Sequence, residues 1–310
     1  MSEKSLVVAI GPSSFAEADA SPRALLEQNG ITVKENPFGR RLTEEEIIAH
    51  LQDVDGLIAG LEPLNRKVLE SAQPRLRVVA RVGIGMDNVD RDGAAALGVA
   101  VSNTPEPPIR AVAEATLAAL LALSRKLLTL NADLHQGQWK KAIGTGLYQT
   151  PVLLVGYGRI GRRTGELLRA FGARLLVHDP FVDPATLEHG EELVGLHEGL
   201  NRAEVVTLHA AGSDCILGKP EFAAIQEGTI LLNSARGGLV DEDALLAALD
   251  KGKLGGVWFD AFWKEPYEGP LCGRANVILT PHTATYTLQC RREMETAAVE
   301  NLLRDLQATG

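Results

Sequence analysis

The stretch VLLVGYGRIGRRTGELLRAFGARLLVHD, Val152 to Asp179, decides how this chain is read. Val152–Val155 is a short apolar run of strand type. It breaks into Gly156-Tyr157-Gly158-Arg159-Ile160-Gly161, and a helical pattern then runs to about Phe171. Gly172 ends that helix, Arg174–His178 reads as a second strand, and Asp179 follows 18 residues after Gly161. A glycine-rich turn by itself can be no more than a turn. Between a strand and a helix, with an acid at this distance, it has the form of a dinucleotide-binding unit. Each glycine then has a reason. Gly156 permits the tight turn, Gly158 has no Cβ to block a pyrophosphate, and Gly161 lets the helix lie close to the strand. The helix N-terminus offers N–H groups and a positive dipole end to phosphates. A carboxylate at Asp179 can accept ribose hydroxyls and would repel a 2′-phosphate.

Composition narrows the field. The chain has 310 residues, enough for two domains, and its 45% hydrophobic and 23% charged residues are ordinary for a globular protein. A formal charge of −9 with no dense basic run argues against nucleic acid or an anionic membrane as partner. The first apolar run is too short for a signal peptide and reads as a strand, and no stretch approaches the roughly 18 apolar residues of a membrane span. Cys215, Cys272 and Cys290 are odd in number and widely spaced. They suggest free thiols in a cytoplasmic protein, not a disulfide framework or a metal site.

Outward from the central stretch, strands and helices alternate. Strands are expected at Ser5–Ile10, Ile31–Glu35, Gly56–Ala59, Val78–Val82 and Val99–Ser102. Helices are expected at Ser21–Gln28, after the capping box Thr43-Glu44-Glu45-Glu46, at Arg66–Ala72 and at Arg91–Leu97. Ala111–Leu130 reads as one long helix, apolar nearly all round and therefore buried. His135–Thr150 reads as a surface connection with Trp139 as a packing anchor. Further strands are expected at Val205–His209, Thr229–Asn233, Gly256–Phe259 and Val277–Leu279. Helices should follow near Glu221–Ile225, Glu242–Leu249 and Thr287–Leu306. This alternation predicts an α/β chain with doubly wound parallel sheets. The turn Arg81-Val82-Gly83-Ile84 after the fourth strand could be a backbone-lined anion site or a plain turn.

Arg236, Glu265 and His282 each follow a separate strand of the second half, and the carboxyl ends of parallel strands share one edge. An arginine can hold a carboxylate and polarise an adjacent carbonyl. A histidine can give or take one proton near neutral pH, and a glutamate beside it fixes its orientation. With a nicotinamide these are the parts for interconverting a 2-keto acid and a 2-hydroxy acid. Taken singly, Arg236 could cap a helix, Glu265 could be a solvated surface residue and His282 a structural loop residue.

The phrases VGYGRIG, NSARGGLVDEDAL, FDAFWKEP and LTPH, with ARVGIGMDNVD and VAEATLAALLALSR, resemble the D-isomer-specific 2-hydroxyacid dehydrogenase family, in the family's order and over nearly the whole chain. The resemblance implies Arg236, Glu265 and His282 as the catalytic residues. It implies Gly156, Gly158, Arg159, Ile160, Gly161, Asp179, Ala210, Ser234, Ala235 and Asp260 around NAD. Arg81, Val82, Gly83 and Ile84 would join Arg236 at the substrate, with no metal. It also implies two doubly wound parallel-sheet domains. A Rossmann nucleotide domain, 104–286, would be inserted in a flavodoxin-like substrate domain, 1–103 plus 287–310, and the protein would be a homodimer. Within the family, NPFGRRLTEEE, DVDGLIAGLEPL and METAAVENLL resemble the short phosphoglycerate dehydrogenases. Three departures from that pattern stand out. Gly60 occupies a place where some such enzymes carry an arginine, AAGSDCILG is shorter than the usual loop, and Thr283-Ala284 replaces a frequent glycine pair. No regulatory domain is expected beyond Gly310. The alternatives are a glyoxylate or hydroxypyruvate reductase and a non-catalytic, corepressor-like NAD sensor.

Overall fold

A computed structural model describes residues 5–187 and 189–309. The first strands and helices are β1 (Val7–Ile10), α1 (Ser21–Gln28), β2 (Thr32–Lys34), α2 (Glu44–His50), β3 (Gly56–Ala59), α3 (Arg66–Ser71), β4 (Val78–Arg81), α4 (Arg91–Ala96) and β5 (Ala100–Asn103). Then come α5 (Pro108–Ser124), α6 (Leu127–His135), β6 (Pro151–Val155), α7 (Arg159–Ala170), β7 (Arg174–His178), β8 (Glu192–Leu193) and α8 (Leu196–Arg202). The chain closes with β9 (Val205–Leu208), α9 (Lys219–Ala224), β10 (Thr229–Asn233), α10 (Glu242–Asp250), β11 (Leu254–Phe259), β12 (Val277–Leu279) and α11 (Leu288–Ala308).

The chain forms two compact units. One is built from residues up to 108 together with those from 286 onward, and the other from 109–285. The first holds a parallel sheet of order β2-β1-β3-β4-β5, with α11 packed on β3, β4 and β5. The second holds a parallel sheet of order β12-β11-β10-β9-β6-β7-β8. Strands β3, β4, β6, β9 and β10 are buried along their whole length, as parallel strands covered on both faces must be. Both sheets are doubly wound. The order reverses between β1 and β3 in the first and between β6 and β9 in the second, and such reversals leave a crevice at the strands' carboxyl ends.

Local chemistry sets the helix starts. Thr43 and Glu46 close the expected capping box, with the Thr43 N–H donating to Glu46 Oε2 at 2.9 Å. Asn65, Asp90, Asp241 and Thr287 cap α3, α4, α10 and α11 through their side chains.

Three expectations are corrected. The single helix Ala111–Leu130 is two helices, broken at Lys126, whose φ of +53° is left-handed. The loop at Gly144-Thr145 is the cause. The Thr145 N–H donates to the Ser124 carbonyl at 2.9 Å, which ends α5 there. The second helix, α6, is not buried, since Leu127, Leu128 and Leu134 are each about half exposed. Trp139 is 82% exposed, so it is no packing anchor among the described residues. The sequence reading also passed over β8 and α8, which complete the sheet edge after Asp179. Among the described residues no helix is long and apolar enough to cross a membrane.

Candidate active site

The glycine-rich turn lies at the order reversal of the second unit. Gly156 has φ +89°, and a Cβ there would collide with the backbone of Ala210 after β9. A Cβ on Gly161 would collide with the Gly156 carbonyl oxygen, so α7 can approach the turn only because this residue has none. Gly158 differs. Nothing lies within 4 Å of the place its Cβ would occupy, which leaves open space at the N-terminus of α7. This cradle has room for the pyrophosphate of a dinucleotide, which the N–H groups of Arg159, Ile160 and Gly161 in the first helical turn would hold. Asp179 ends β7 beside it. Its Oδ2 accepts the Tyr157 N–H at 2.7 Å and its Oδ1 accepts the Phe181 N–H at 2.9 Å. The carboxylate therefore fixes the turn and keeps lone pairs for hydroxyl donors. His209, at the end of β9, has a ring nitrogen 3.0 Å from Thr207 Oγ1, and burial pushes its pKa down to about 4. It is neutral at pH 7, so it puts no charge beside the turn.

Arg236, Glu265 and His282 follow β10, β11 and β12 at the carboxyl edge of the same sheet. Buried Asn233 shapes the arginine's turn. Its Nδ2 donates to the Arg236 carbonyl at 2.8 Å and its Oδ1 accepts the Ala235 N–H at 3.0 Å. Arg236 Nη1 donates to the Ala235 carbonyl at 2.7 Å. Ser234 and Ala235 are half-buried in the same turn. Gly237 lies so close to Phe262 and Trp263 that a Cβ would strike their backbone. That close approach draws the arginine's turn against the loop that carries Glu265. The loop is itself held by stacking of Trp263 on Phe259 and of Tyr267 on Phe262, with centroids 5.2 and 4.6 Å apart.

His282 Nδ1 lies 3.0 and 3.1 Å from the two oxygens of Glu265. Glu265 Oε1 also accepts the Phe262 N–H at 3.2 Å, which restricts its swing. His282 has φ +56°, a conformation rare outside glycine, and its N–H is shared by the Asp260 and Thr280 carbonyls. Asp260 enforces that turn. It is 1% exposed, and it accepts from Thr280 Oγ1 at 2.6 Å, the Thr283 N–H at 2.8 Å and the Ala284 N–H at 2.9 Å. Its carboxylate thereby holds the histidine loop in place.

The remaining expected site residues, Arg81–Ile84, end β4 in the other unit. Their backbone is largely committed. The Val82 N–H donates to the Ala59 carbonyl and the Gly83 N–H to Thr104 Oγ1, at 2.9 and 2.7 Å. The Ile84 carbonyl accepts from Asn103 Nδ2 at 2.8 Å. Arg81 is buried and donates to the Val82 carbonyl.

Sequence reasoning passed over the supports. Asn233 was visible only as a letter of a motif, and Tyr157 only as a spacer between glycines. Yet the Tyr157 hydroxyl donates to Glu191 at 3.0 Å, Arg169 pairs with the same oxygen at 2.7 Å, and Arg162 covers the ring. Burial, with Glu191 beside it, pushes the Tyr157 pKa up to about 12. The hydroxyl therefore stays a donor, and it ties the glycine-rich turn to the start of β8.

Comparison with known proteins agrees with this geometry. Residues 117–284 match the model of the D-isomer specific 2-hydroxyacid dehydrogenase, NAD binding domain. The D-3-phosphoglycerate dehydrogenase of Mycobacterium bovis is 36% identical over 266 residues, which are 83% of this chain and 50% of the relative. The chain thus spans about half the length of the curated relatives it matches. Among solved structures, the TT0316 protein of Thermus thermophilus is 32% identical, with a TM-score of 0.88 and coverage of 98% of this chain and 97% of that one. A glyoxylate reductase from Paecilomyes thermophila is 26% identical, with a TM-score of 0.86 and coverage of 99% and 97%. With the glycine-rich cradle, the Glu265–His282 pair and a family match over more than half its length, the chain belongs to the D-isomer-specific 2-hydroxyacid dehydrogenase family.

Proposed function

We propose that this chain interconverts a D-2-hydroxy acid and its 2-keto acid with NAD(H). The observation that carries the reading is the Glu265 carboxylate on His282 Nδ1 at 3.0 Å, next to the strand end that bears Arg236. Glu265 holds one ring nitrogen, so Nε2 is the atom left for proton transfer. NADH, when bound, supplies the hydride for the keto carbon. His282 Nε2–H gives its proton to the substrate oxygen in reduction and regains it in oxidation. Ionised Glu265 stabilises the imidazolium that reduction consumes and oxidation forms. Arg236 binds the carboxylate and polarises the carbonyl through its fork of guanidinium donors. Residues 109–285 serve as the nucleotide domain and the other unit as the substrate domain. Asp179 selects NAD over NADP, because a carboxylate facing a 2′-phosphate in a partly dry site repels it.

The protein works as a homodimer; the support is the exposed apolar set Leu127, Leu128, Leu134, Trp139 and Ile143 on one segment of the nucleotide unit. A cytoplasmic location accords with its three free cysteines. The relatives' names set 3-phosphoglycerate and glyoxylate side by side as guides to substrate. The test is NADH oxidation with a panel of 2-keto acids, including glyoxylate, hydroxypyruvate and 3-phosphohydroxypyruvate. Turnover of at least one, with NADH preferred to NADPH, is expected. A chain that binds NADH and reduces none would be a sensor and not an enzyme.

A further inference from the structure

The connection from β7 to β8 begins at Asp179 and ends at Glu191, and one residue of the glycine-rich turn is bonded to both. Tyr157 donates its N–H to Asp179 Oδ2 at 2.7 Å and its hydroxyl to Glu191 Oε1 at 3.0 Å. The turn needs such an anchor. Gly156 and Gly158 flank Tyr157, and glycine restrains the backbone less than any other residue. The tyrosine therefore supplies the side chain by which this part of the turn can be held.

That side chain is 4% exposed and lies along successive turns of α7. The Arg162 guanidinium stands 4.9 Å from the ring centroid. Gly165 clears the path, since a Cβ there would come within 3.3 Å of both the ring and the hydroxyl oxygen. Glu191, at the far end, is fixed in its turn. Its side chain is 3% exposed, Oε1 also accepts from Arg169 Nη1 at 2.7 Å, and Oε2 accepts the His189 N–H at 2.9 Å. Burial opposes its charge, but the N–H groups of Glu191 and His189, the Tyr157 hydroxyl and Arg169 outweigh burial and hold its pKa below the usual value. An ionised carboxylate bonded on both oxygens is a rigid acceptor, and hydrogen bonds to such a charge are stronger than neutral ones.

We propose that Glu191 is a positioning residue for the cofactor's adenosine: through the Tyr157 hydroxyl it keeps the Tyr157 N–H on Asp179, and so sets the carboxylate that chooses between NAD and NADP. The inference rests on the NAD reading above and deepens it. When the tether is cut, Asp179 Oδ2 loses its fixed donor and only the Phe181 N–H on Oδ1 remains. A carboxylate free to pivot makes poorer bonds to ribose hydroxyls, and it can also turn away from a 2′-phosphate. NADH therefore loses affinity, and NADPH loses less.

The experiment is fluorescence titration of the full chain with NADH and with NADPH. Tyr157→Phe removes the hydroxyl and leaves the ring in place and Glu191 paired with Arg169. Its Kd for NADH should rise about five- to tenfold, and the ratio of the NADPH to the NADH Kd should narrow about threefold. Glu191→Ala should do the same, and the double variant should be no weaker than either single one, because both substitutions cut one tether. Glu191→Gln keeps an acceptor for the hydroxyl and should recover most of the NADH affinity. Equal weakening toward both cofactors would reduce the tether to general support of the fold and overturn the inference. So would unaltered constants, or losses that add in the double variant. If Glu191→Ala does not fold, Tyr157→Phe and Glu191→Gln decide. A wild-type chain that binds neither cofactor, or prefers NADPH, would remove the reading of Asp179 on which the inference stands.

Discussion

At the scale of single residues, the glycines of the turn make separable demands. Gly158→Ala adds a methyl into open space, so the free protein should keep its melting temperature. The methyl would stand where phosphate oxygens must approach, and NADH affinity should fall about tenfold or more. Gly161→Ala instead drives a Cβ into the Gly156 carbonyl and should cost about 1–3 kcal/mol of stability as well as affinity. Thermal melts and NADH titrations of both variants check this, and equal destabilisation would refute the distinction. Arg236→Ala should lose about 3–5 kcal/mol in kcat/KM, because the charged bidentate contact proposed for the substrate goes while the dinucleotide cradle is untouched. An NADH affinity that fell as far as turnover would assign the arginine to the cofactor instead. His282→Gln should reduce turnover about 10²–10⁴-fold with the same NADH affinity.

At the scale of elements, the histidine is placed by a buried carboxylate that stands one strand earlier in the sequence. Asp260→Ala would strand the Thr283 and Ala284 N–H groups and leave the Thr280 hydroxyl without the acceptor it donates to. Each unsatisfied buried group costs about 1–3 kcal/mol, so a loss of roughly 3 kcal/mol or more in urea unfolding is expected. Turnover should fall with it, since the left-handed turn at His282 loses its brace. Asp260→Asn retains an acceptor and should fall between the two. An Asp260→Ala protein with native stability would mean that the loop is held by other contacts. The break between α5 and α6 belongs to this scale too. The stretch Ala111–Leu130 turns apolar again after Ser124-Arg125-Lys126, and at the break the Ser124 carbonyl is captured by an N–H from a loop about 20 residues onward.

At the scale of the whole molecule, each unit carries a histidine whose protonation folding opposes. His209 is pushed down to about 4 and His50 is lowered by burial, in a site where its Nε2 lies 3.0 Å from the Ile10 carbonyl. Both have folded pKa values below the unfolded value near 6.5. Below that value the unfolded chain takes up protons that the folded chain refuses, so stability is full above about pH 6.5 and falls as the pH drops toward 4. For His209 the loss is about 2 kcal/mol, after allowance for the partial exposure of the residue. His209→Gln should flatten the curve of unfolding free energy against pH over that interval. A curve that kept its slope would show that the ring is protonated in the folded state. Sedimentation should give a dimer, and charged substitutions at Leu128 and Leu134 should shift it to monomer; a wild-type monomer at micromolar concentration would overturn the homodimer.

The sequence alone determined the alternation of strands and helices, the glycine-rich turn, and the order in which Arg236, Glu265 and His282 follow their strands. These are local matters, since apolar periodicity, helix caps and glycine punctuation act over a few residues. What the tertiary structure decided is what fills each strand end. Asp260 reads as one more letter beside a turn, yet it is buried and braces the loop that carries His282. Trp139, expected to anchor its segment by packing, lies exposed on the chain. Exposure and partner depend on segments far away in sequence, brought together by the order of strands in the sheet, and no local pattern carries that order.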